Sequence, residues 1–500
     1  MKTLAKLEKN WNYWFLLGIS FIFFLLRLPS LFEPYWYGDE GIYQVLGMGI
    51  RSGRLLYRDI FDNKPPLLYL VYSLFNGDQF WVRSLNLVFG IFAVILFFFL
   101  SKKLFSKNNV AYFSTLIFAF LLAIPVLEGN IANAENFMMP IILLASFLTL
   151  KSSENLHGKV HNFTSRTSIL LFFSGALLGI AFLFKIVAVF DFAAFFLFLV
   201  FIDSKFGLRT LKKIGNILAL LKKLSLFILG FLAPVMITVI FFTYSGSFSE
   251  FIRATFFSNI GYVGYGNKFI IPQGFLILKL ILLSLFSLFV LIKRDKLTSS
   301  GVFIFLWLAF SLFNAFFSQR PYTHYLLTLL PSFCLLLGFV VSNKKWQKIS
   351  FLMLVIVLYL SVTSFNIYNN TFPYYQNFIS VVFGNKSMTK YEGFFDKRTP
   401  IDYQLADYIL QNSKSEDNIF IWGNNAQVYK LTNKLPPGKY AVAYHITSYK
   451  DGPSNTFNGL VKTKPKFIIM MPYMNSFPFS LSGYSPKITI NDVTIYERLF

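Results

Sequence analysis

Two short stretches hold residue types from which chemistry is built. One reads Tyr37-Gly38-Asp39-Glu40-Gly41; the other reads Tyr57-Arg58-Asp59-Ile60-Phe61-Asp62-Asn63-Lys64-Pro65-Pro66. Adjacent carboxylates at the end of an apolar run are costly unless they are solvated, paired or working. Asp39 and Glu40 point to different sides of either a helix or a strand, so they do not form a shared-proton dyad. One of them can face a reacting group while the other holds the loop through a hydrogen bond or ion pair. The plainer alternative is a solvated loop whose acids balance Arg51, Arg54 and Arg58. Lys64 precedes two prolines, which bias its backbone toward an extended conformation. That suits a positioned side chain, and equally any turn.

Further candidates are scattered. Lys185 sits between two apolar runs, where an ammonium ordinarily snorkels to the nearest headgroups. Arg320 opens the segment Arg320-Pro321-Tyr322-Thr323-His324-Tyr325 and can pair with a lipid phosphate. His324 is either a substrate contact or a helix-packing histidine. Glu128 and Glu135, with Asn133, can bind hydroxyls or a divalent ion, or merely cap two helices. Asp191 and Lys279 lie inside apolar runs and are functional candidates by default. The aromatic loop Phe251–Tyr265, with Arg253, Tyr262 and Tyr265, can cover a sugar or form an interfacial belt. No His/carboxylate spacing signals a metal site. Cys334, the single cysteine, excludes an intramolecular disulfide and a zinc finger.

The elements that must position these residues are membrane helices. Of 500 residues, 55% are hydrophobic and only 14% charged, and Phe alone contributes 64. Such a chain cannot cover a water-facing surface, which excludes a soluble enzyme and a disordered chain. Apolar runs suggest eleven spans near 12–32, 81–100, 110–127, 137–150, 168–184, 186–202, 224–244, 270–292, 301–317, 323–341 and 350–367. The net charge of +23 then reads as topology rather than as nucleic-acid binding. With a cytoplasmic N-terminus, the inner segments carry 21 basic and four acidic residues, or +17. The expected organisation is a transmembrane domain 1–367, with a first outer loop 33–80, and an outer soluble α/β domain 368–500. The expected place is a cytoplasmic (inner) membrane, with the C-terminal domain outside. Within the tail, Ile401–Gln411 has helical spacing, and Asn418–Trp422, Pro465–Met471 and Ile488–Tyr496 read as strands.

Taken in order, these motifs resemble the GT-C membrane glycosyltransferases, in the branch that includes protein O-mannosyltransferases and the lipid A aminoarabinose transferase. Asp39-Glu40 resembles the family's acidic pair. Asp62-Asn63-Lys64-Pro65-Pro66 resembles its Lys-Pro element before an interfacial helix, here Leu67–Phe75, although Asn63 stands where relatives often place an acid. Gly179–Lys185 resembles a small-residue span with a basic outer turn, and Arg320–Pro331 the Tyr/His-then-Pro entry to a late span. In the tail, Ile419–Gly423 and Lys434–Tyr440 resemble the outer domain of bacterial members.

The resemblance implies a GT-C-like polytopic fold. It also implies transfer of a sugar from a polyprenyl-phosphate donor to a hydroxyl of a glycan, lipid or protein on the outer face. Inverting transfer needs a base, which the resemblance assigns to Asp39 beside Glu40. Cations for the leaving phosphate are Lys64, Lys185 and Arg320, with Arg58 behind them. Tyr57, Asp62, Glu135, Tyr322, His324 and Tyr325 are the expected substrate contacts. This branch implies no metal or other cofactor. A lipid-linked sugar flippase is the competing class; it calls for midplane charges and two related halves, whereas here the polar residues concentrate in the first loop and the tail and no half-repeat is apparent. A scaffold working through its tail would leave the Asp39-Glu40 and Lys64-Pro65-Pro66 loop without a task.

Overall fold

The coordinates are a computed structural model. They describe residues 2–154, 165–202, 214–268, 270, 273–320, 322–342, 352, 355, 359, 363, 367–474 and 476–499. The expected span 350–367 therefore lies almost wholly outside the described residues.

The chain is mostly helical. In order come α1 (Lys2–Arg27), α2 (Gly38–Arg51), α3 (Pro66–Leu74), α4 (Gln79–Leu104), α5 (Asn108–Ala123), α6 (Ala134–Glu154) and α7 (Ser165–Phe184). Then follow α8 (Val189–Ile202), α9 (Ile214–Tyr244), α10 (Phe248–Ile252), α11 (Ser258–Gly266), α12 (Gly274–Lys293), α13 (Ser299–Ala315) and α14 (Leu330–Ser342). The tail carries α15 (Ile367–Val382), α16 (Met388–Phe395), α17 (Thr399–Asn412), β1 (Ile419–Trp422), α18 (Gln427–Leu431), α19 (Ala443–Ser448), α20 (Gly452–Thr463), β2 (Phe467–Met470), β3 (Tyr484–Ile490) and β4 (Val493–Arg498).

Six stretches among the described residues are long and apolar enough to cross a membrane: Asn10–Phe32, Gln79–Leu104, Ala134–Ser153, Thr167–Phe184, Leu224–Tyr244 and Gly274–Lys296. Asn108–Ala123, Ile186–Ile202, Ser299–Ala315 and Leu330–Ser342 are shorter apolar helices. One difference from the sequence reading is local. The expected run 323–341 is not one helix, because Thr323–Thr328 is a 3-10 turn and α14 starts only at Leu330. Pro331 lacks an N–H and is compatible with a first turn, not with a helix interior.

The residues divide into two compact units. The first comprises Met1–Leu28, Leu85–Phe241 and Asn259–Phe372; the second comprises Pro29–Ser84, Phe242–Ser258 and Pro373–Phe500. In the first, α7 and α9 approach at glycines. A Cβ on Gly175 would fall 2.0 Å from the Phe227 carbonyl oxygen, and one on Gly230 would fall 2.0 Å from that of Phe172. Only glycine permits such contact, as is usual where membrane helices touch backbone to backbone. Asp191 on α8 accepts a 2.7 Å hydrogen bond from the Trp307 indole of α13, so its carboxylate serves helix packing. Lys279 donates to Asn267 Oδ1 at 2.6 Å and Gln319 Oε1 at 3.1 Å, tying two connections together.

The second unit gathers α2, α3 and the tail. Its four-stranded sheet has the order β1-β2-β4-β3. β1 and β2 are parallel, while β4 pairs antiparallel with both β2 and β3. A parallel pair needs a crossover, here supplied by α18 to α20. The expected single strand 488–496 is instead divided between β3 and β4, with the hairpin turn at Asn491 and Asp492. Asn491, with φ +53°, adopts the left-handed conformation that such a turn requires.

Candidate functional site

The first turn of α2 begins at Gly38 and carries Asp39 and Glu40, where the helix dipole favours negative charge. Successive helical residues diverge by about 100°, and the two carboxylates go to opposite environments. Glu40 is buried, whereas the Asp39 side chain is 43% exposed.

Glu40 meets Arg83, which the sequence reading passed over because it lies within an expected span. Arg83 Nε donates to Glu40 Oε1 at 3.1 Å, and its Nη2 donates to Oε2. The same guanidinium holds Glu33 Oε2 at 2.8 Å and the Ser30 carbonyl at 2.8 Å. Tyr72 donates to Glu40 at 3.3 Å, and Tyr374 donates to Glu33 at 2.7 Å. This buried assembly of one cation and two anions fixes the start of α2. A charged residue one turn into an apolar helix, beside an acidic loop, is the signal that could have found Arg83.

Asp39 Oδ2 accepts a 3.0 Å hydrogen bond from Tyr43, one turn along α2. Lys64 Nζ stands 3.6 Å from Asp39 Oδ2 and 3.6 Å from Asp62 Oδ2, and lies 4.7 Å above the Tyr43 ring. Its backbone is equally constrained: Tyr69 accepts from Lys64 N at 3.0 Å, and Tyr57 donates to the Lys64 carbonyl at 2.7 Å. Tyr69 also donates to the buried Asp62 at 2.8 Å. Pro66 then opens α3 at a position where its missing N–H costs nothing. Tyr57 itself has φ +69°, an uncommon conformation for a tyrosine, and is fully buried against Phe242 and Phe251. Burial pushes the hydroxyls of Tyr43, Tyr57 and Tyr69 well above the usual phenol range, so all three act as neutral donors.

Arg58 does not join this cluster. Its guanidinium is exposed and fork-paired with neighbouring Asp59 at 2.9 and 3.0 Å. His445 does join it, although nothing in the tail sequence marked it. Its Nε2 lies 3.8 Å from Asp62 Oδ1, and its Nδ1 is buried without a hydrogen-bond partner among the described residues. Desolvation lowers its pKa to about 4, against the pull of Asp62, so the imidazole is neutral at pH 7.

The tail supports the loop at several points. Arg54 donates to the carbonyls of Pro436 and Gly438, and Phe61 N donates to the Lys439 carbonyl at 3.0 Å. A Cβ on Gly41, beside Glu40, would fall 2.8 Å from the backbone nitrogen of Gln427. That segment is held in turn by buried Asp402, which accepts from Asn425 at 2.8 and 2.9 Å and from Gln427 at 2.7 Å. Desolvation outweighs those donors and raises Asp402 to about 7.

The first unit holds a separate polar cluster at helix ends. Lys185, extended at φ −155°, separates α7 from a 3-10 turn leading into α8. Its ammonium pairs with Glu135 in the first turn of α6 and lies 4.3 Å above the Tyr325 ring. Glu128, at φ +56°, accepts from Thr323 at 2.7 Å and contacts His324 Nδ1 at 2.9 Å. His324 stacks on Tyr322 and meets Tyr325 edge-on. The intervening turn is pinned by Asn86 and Asn136, which both donate to the Ile131 carbonyl. Arg320 is half-buried, and Pro321 lies outside the described residues, as do the Tyr262 and Tyr265 side chains. Among the described residues, no group of three or more His, Cys, Asp or Glu is assembled as for a metal ion.

These features define a polytopic helical membrane protein with a small C-terminal sheet and an ordered acidic and basic loop. Residues 54–247 match the family model described as dolichyl-phosphate-mannose-protein mannosyltransferase, which supports reading the chain as a glycosyltransferase. The match includes Lys64, Glu135 and Lys185 and begins after Asp39-Glu40. Among solved structures, the chain is similar to the archaeal oligosaccharyltransferase AglB from Archaeoglobus fulgidus in complex with an inhibitory peptide and a dolichol-phosphate. That similarity has 12% identity and a TM-score of 0.49, covering 93% of this chain and 69% of that one. The apo form of the Archaeoglobus fulgidus oligosaccharyltransferase gives 12% identity and a TM-score of 0.48, over 93% and 70%. No match was found among curated proteins.

Proposed function

We propose that the chain transfers a sugar from a polyprenyl-phosphate donor to a hydroxyl of a glycan, lipid or protein at the outer face of a cytoplasmic membrane. The observation that carries this reading is the division of labour in one helical turn. Glu40 is locked by Arg83, while Asp39 stays accessible, held by Tyr43 and flanked by Lys64. The family match over residues 54–247 supports the reaction class.

In this reading Asp39 takes the acceptor's proton as the acceptor oxygen bonds to the anomeric carbon. The bond from that carbon to the phosphate oxygen breaks on the opposite face. Its electron pair leaves with the polyprenyl phosphate, so the configuration inverts. Lys64 supplies positive charge for the leaving phosphate, and Lys185 and Arg320 are proposed for the same service. Glu40 acts by positioning α2, and Asp62 by holding Lys64. Tyr57 acts by holding the Lys64 carbonyl, whereas Arg58 is paired with Asp59 on the surface and is assigned no part.

The test is transfer in vitro from radiolabelled polyprenyl-phosphate sugar, comparing wild type with Asp39→Asn. Loss of transfer by about 10²–10⁴-fold at unchanged unfolding temperature is expected. Retained transfer sinks the base assignment. Lipid flipping with no transfer by wild type sinks the enzyme.

A further inference from the structure

We propose that the transmembrane unit binds an anionic phospholipid at the end opposite its Glu128–His324 cluster. A cavity of about 1030 Å³ opens there, lined from the ends of α4, α12 and α14 and the starts of α5 and α13. Its apolar wall is aromatic. Phe286, Phe289, Phe305 and Phe339 line it, with Phe305 and Phe339 edge-on at 5.4 Å. Beyond the wall, Leu282, Leu285 and Phe289 lie exposed along α12, a continuous apolar track from the cavity into hydrocarbon.

The polar side of the cavity has one sign. Lys107, Lys293 and Lys296 line it together with Thr298 and Ser300, and no acidic residue is among its described lining residues. Two helix N-termini open at this rim. Lys107 immediately precedes α5, and Thr298 caps α13 by accepting from Gly301 N at 3.1 Å. Each adds partial positive charge, which suits a phosphate oxygen. The α12 C-terminus, of opposite polarity, arrives with Lys293 in its last turn.

Phosphate against the lysines and acyl chains against the phenylalanines is the arrangement that charge and polarity select. The 16 residues of α5 put about 24 Å between this rim and the Glu128 end of the same unit. The ligand is therefore not the sugar donor of the proposed reaction, and the inference stands independently of that reaction. The lysine-rich end is also the one that charge distribution assigns to the cytoplasm, whose leaflet supplies anionic phospholipid.

Native mass spectrometry of the purified full chain tests this, with separate titrations of phosphatidylglycerol, phosphatidylcholine, a polyprenyl monophosphate and inorganic phosphate. Selective retention of one phosphatidylglycerol is expected. Changing Lys107, Lys293 and Lys296 together to Gln should weaken it by about tenfold or more. All three are exposed, so this variant should unfold at the wild-type temperature when lipid-free. The control Lys102→Gln, Lys103→Gln, Lys151→Gln removes equal charge from the same face and should leave binding unchanged. Four results overturn the proposal: equal retention of phosphatidylcholine, equal loss in both variants, preference for the polyprenyl monophosphate, or equal binding of free phosphate.

Discussion

Glu40 presents both carboxylate oxygens to the guanidinium of Arg83, and neither side chain reaches solvent. Because Glu40 is fixed in this way, the next residue back, Asp39, faces outward at a defined angle. Removing Arg83 leaves Glu33 and Glu40 buried without their shared cation. Arg83→Met should therefore destabilise the protein by about 3–5 kcal/mol. Arg83→Lys should rescue only part of this, since an ammonium cannot reproduce the fork. Thermal unfolding in detergent reads both. An Arg83→Met protein with wild-type stability would falsify the anchoring role.

Lys64 is expected to act on the donor more than on the fold. Its side chain is 21% exposed, and its ammonium stands between Asp39 and Asp62 at 3.6 Å from each. Lys64→Ala should lower kcat by about 10²–10³-fold if the ammonium stabilises the departing phosphate, as for loss of one preorganised charge donor. Lys64→Arg should recover part of that loss. Steady-state kinetics with a varied polyprenyl-phosphate sugar separate the outcomes: a change confined to acceptor KM would reassign the residue.

The loop chemistry was legible because its members are close in sequence. Asp39 with Glu40 and Lys64 with Pro65-Pro66 announce themselves locally. So did the break between α7 and α8 at Lys185, where one ionisable residue interrupts two apolar runs. What stayed hidden depends on partners far along the chain. Glu33 meets Tyr374, and Asp62 faces His445, across separations that no spacing rule addresses. Tyr57 was read as a substrate contact from its neighbourhood. Its left-handed backbone and its burial under Phe242 and Phe251 follow from packing that periodicity does not encode. The β3–β4 hairpin was missed because only two residues, Asn491 and Asp492, separate its two β-rich runs.

Asp402 should make the tail pH-sensitive. Its folded pKa of about 7 lies above the ordinary value of 3.8, so between these limits the folded state binds more protons than the unfolded state. Stability contributed by this group is therefore complete at about pH 4, declines as pH rises, and is gone above about pH 7. Unfolding temperature measured from pH 5 to pH 8 should fall by an amount that Asp402→Asn largely abolishes. A slope unchanged in the variant would place the titrating group elsewhere.

Glu135 and Lys185 give the final test, because a buried pair is more sensitive to losing one member than to losing both. Glu135 is 2% exposed and Lys185 15%, and the Tyr325 ring covers the ammonium at 4.3 Å. Glu135→Gln should leave that ammonium with the ring and little solvent, at a cost on the order of 3–5 kcal/mol. The double variant Glu135→Gln, Lys185→Met removes both charges and should recover much of that stability. Transfer need not follow stability. If Lys185 serves the donor phosphate, the double variant folds but remains slow, and Lys185→Met alone has the same low kcat. If the pair only joins α6 to the α7–α8 break, the double variant should regain transfer along with its unfolding temperature. Measuring both quantities on the three proteins therefore separates a donor contact from a helix-packing pair.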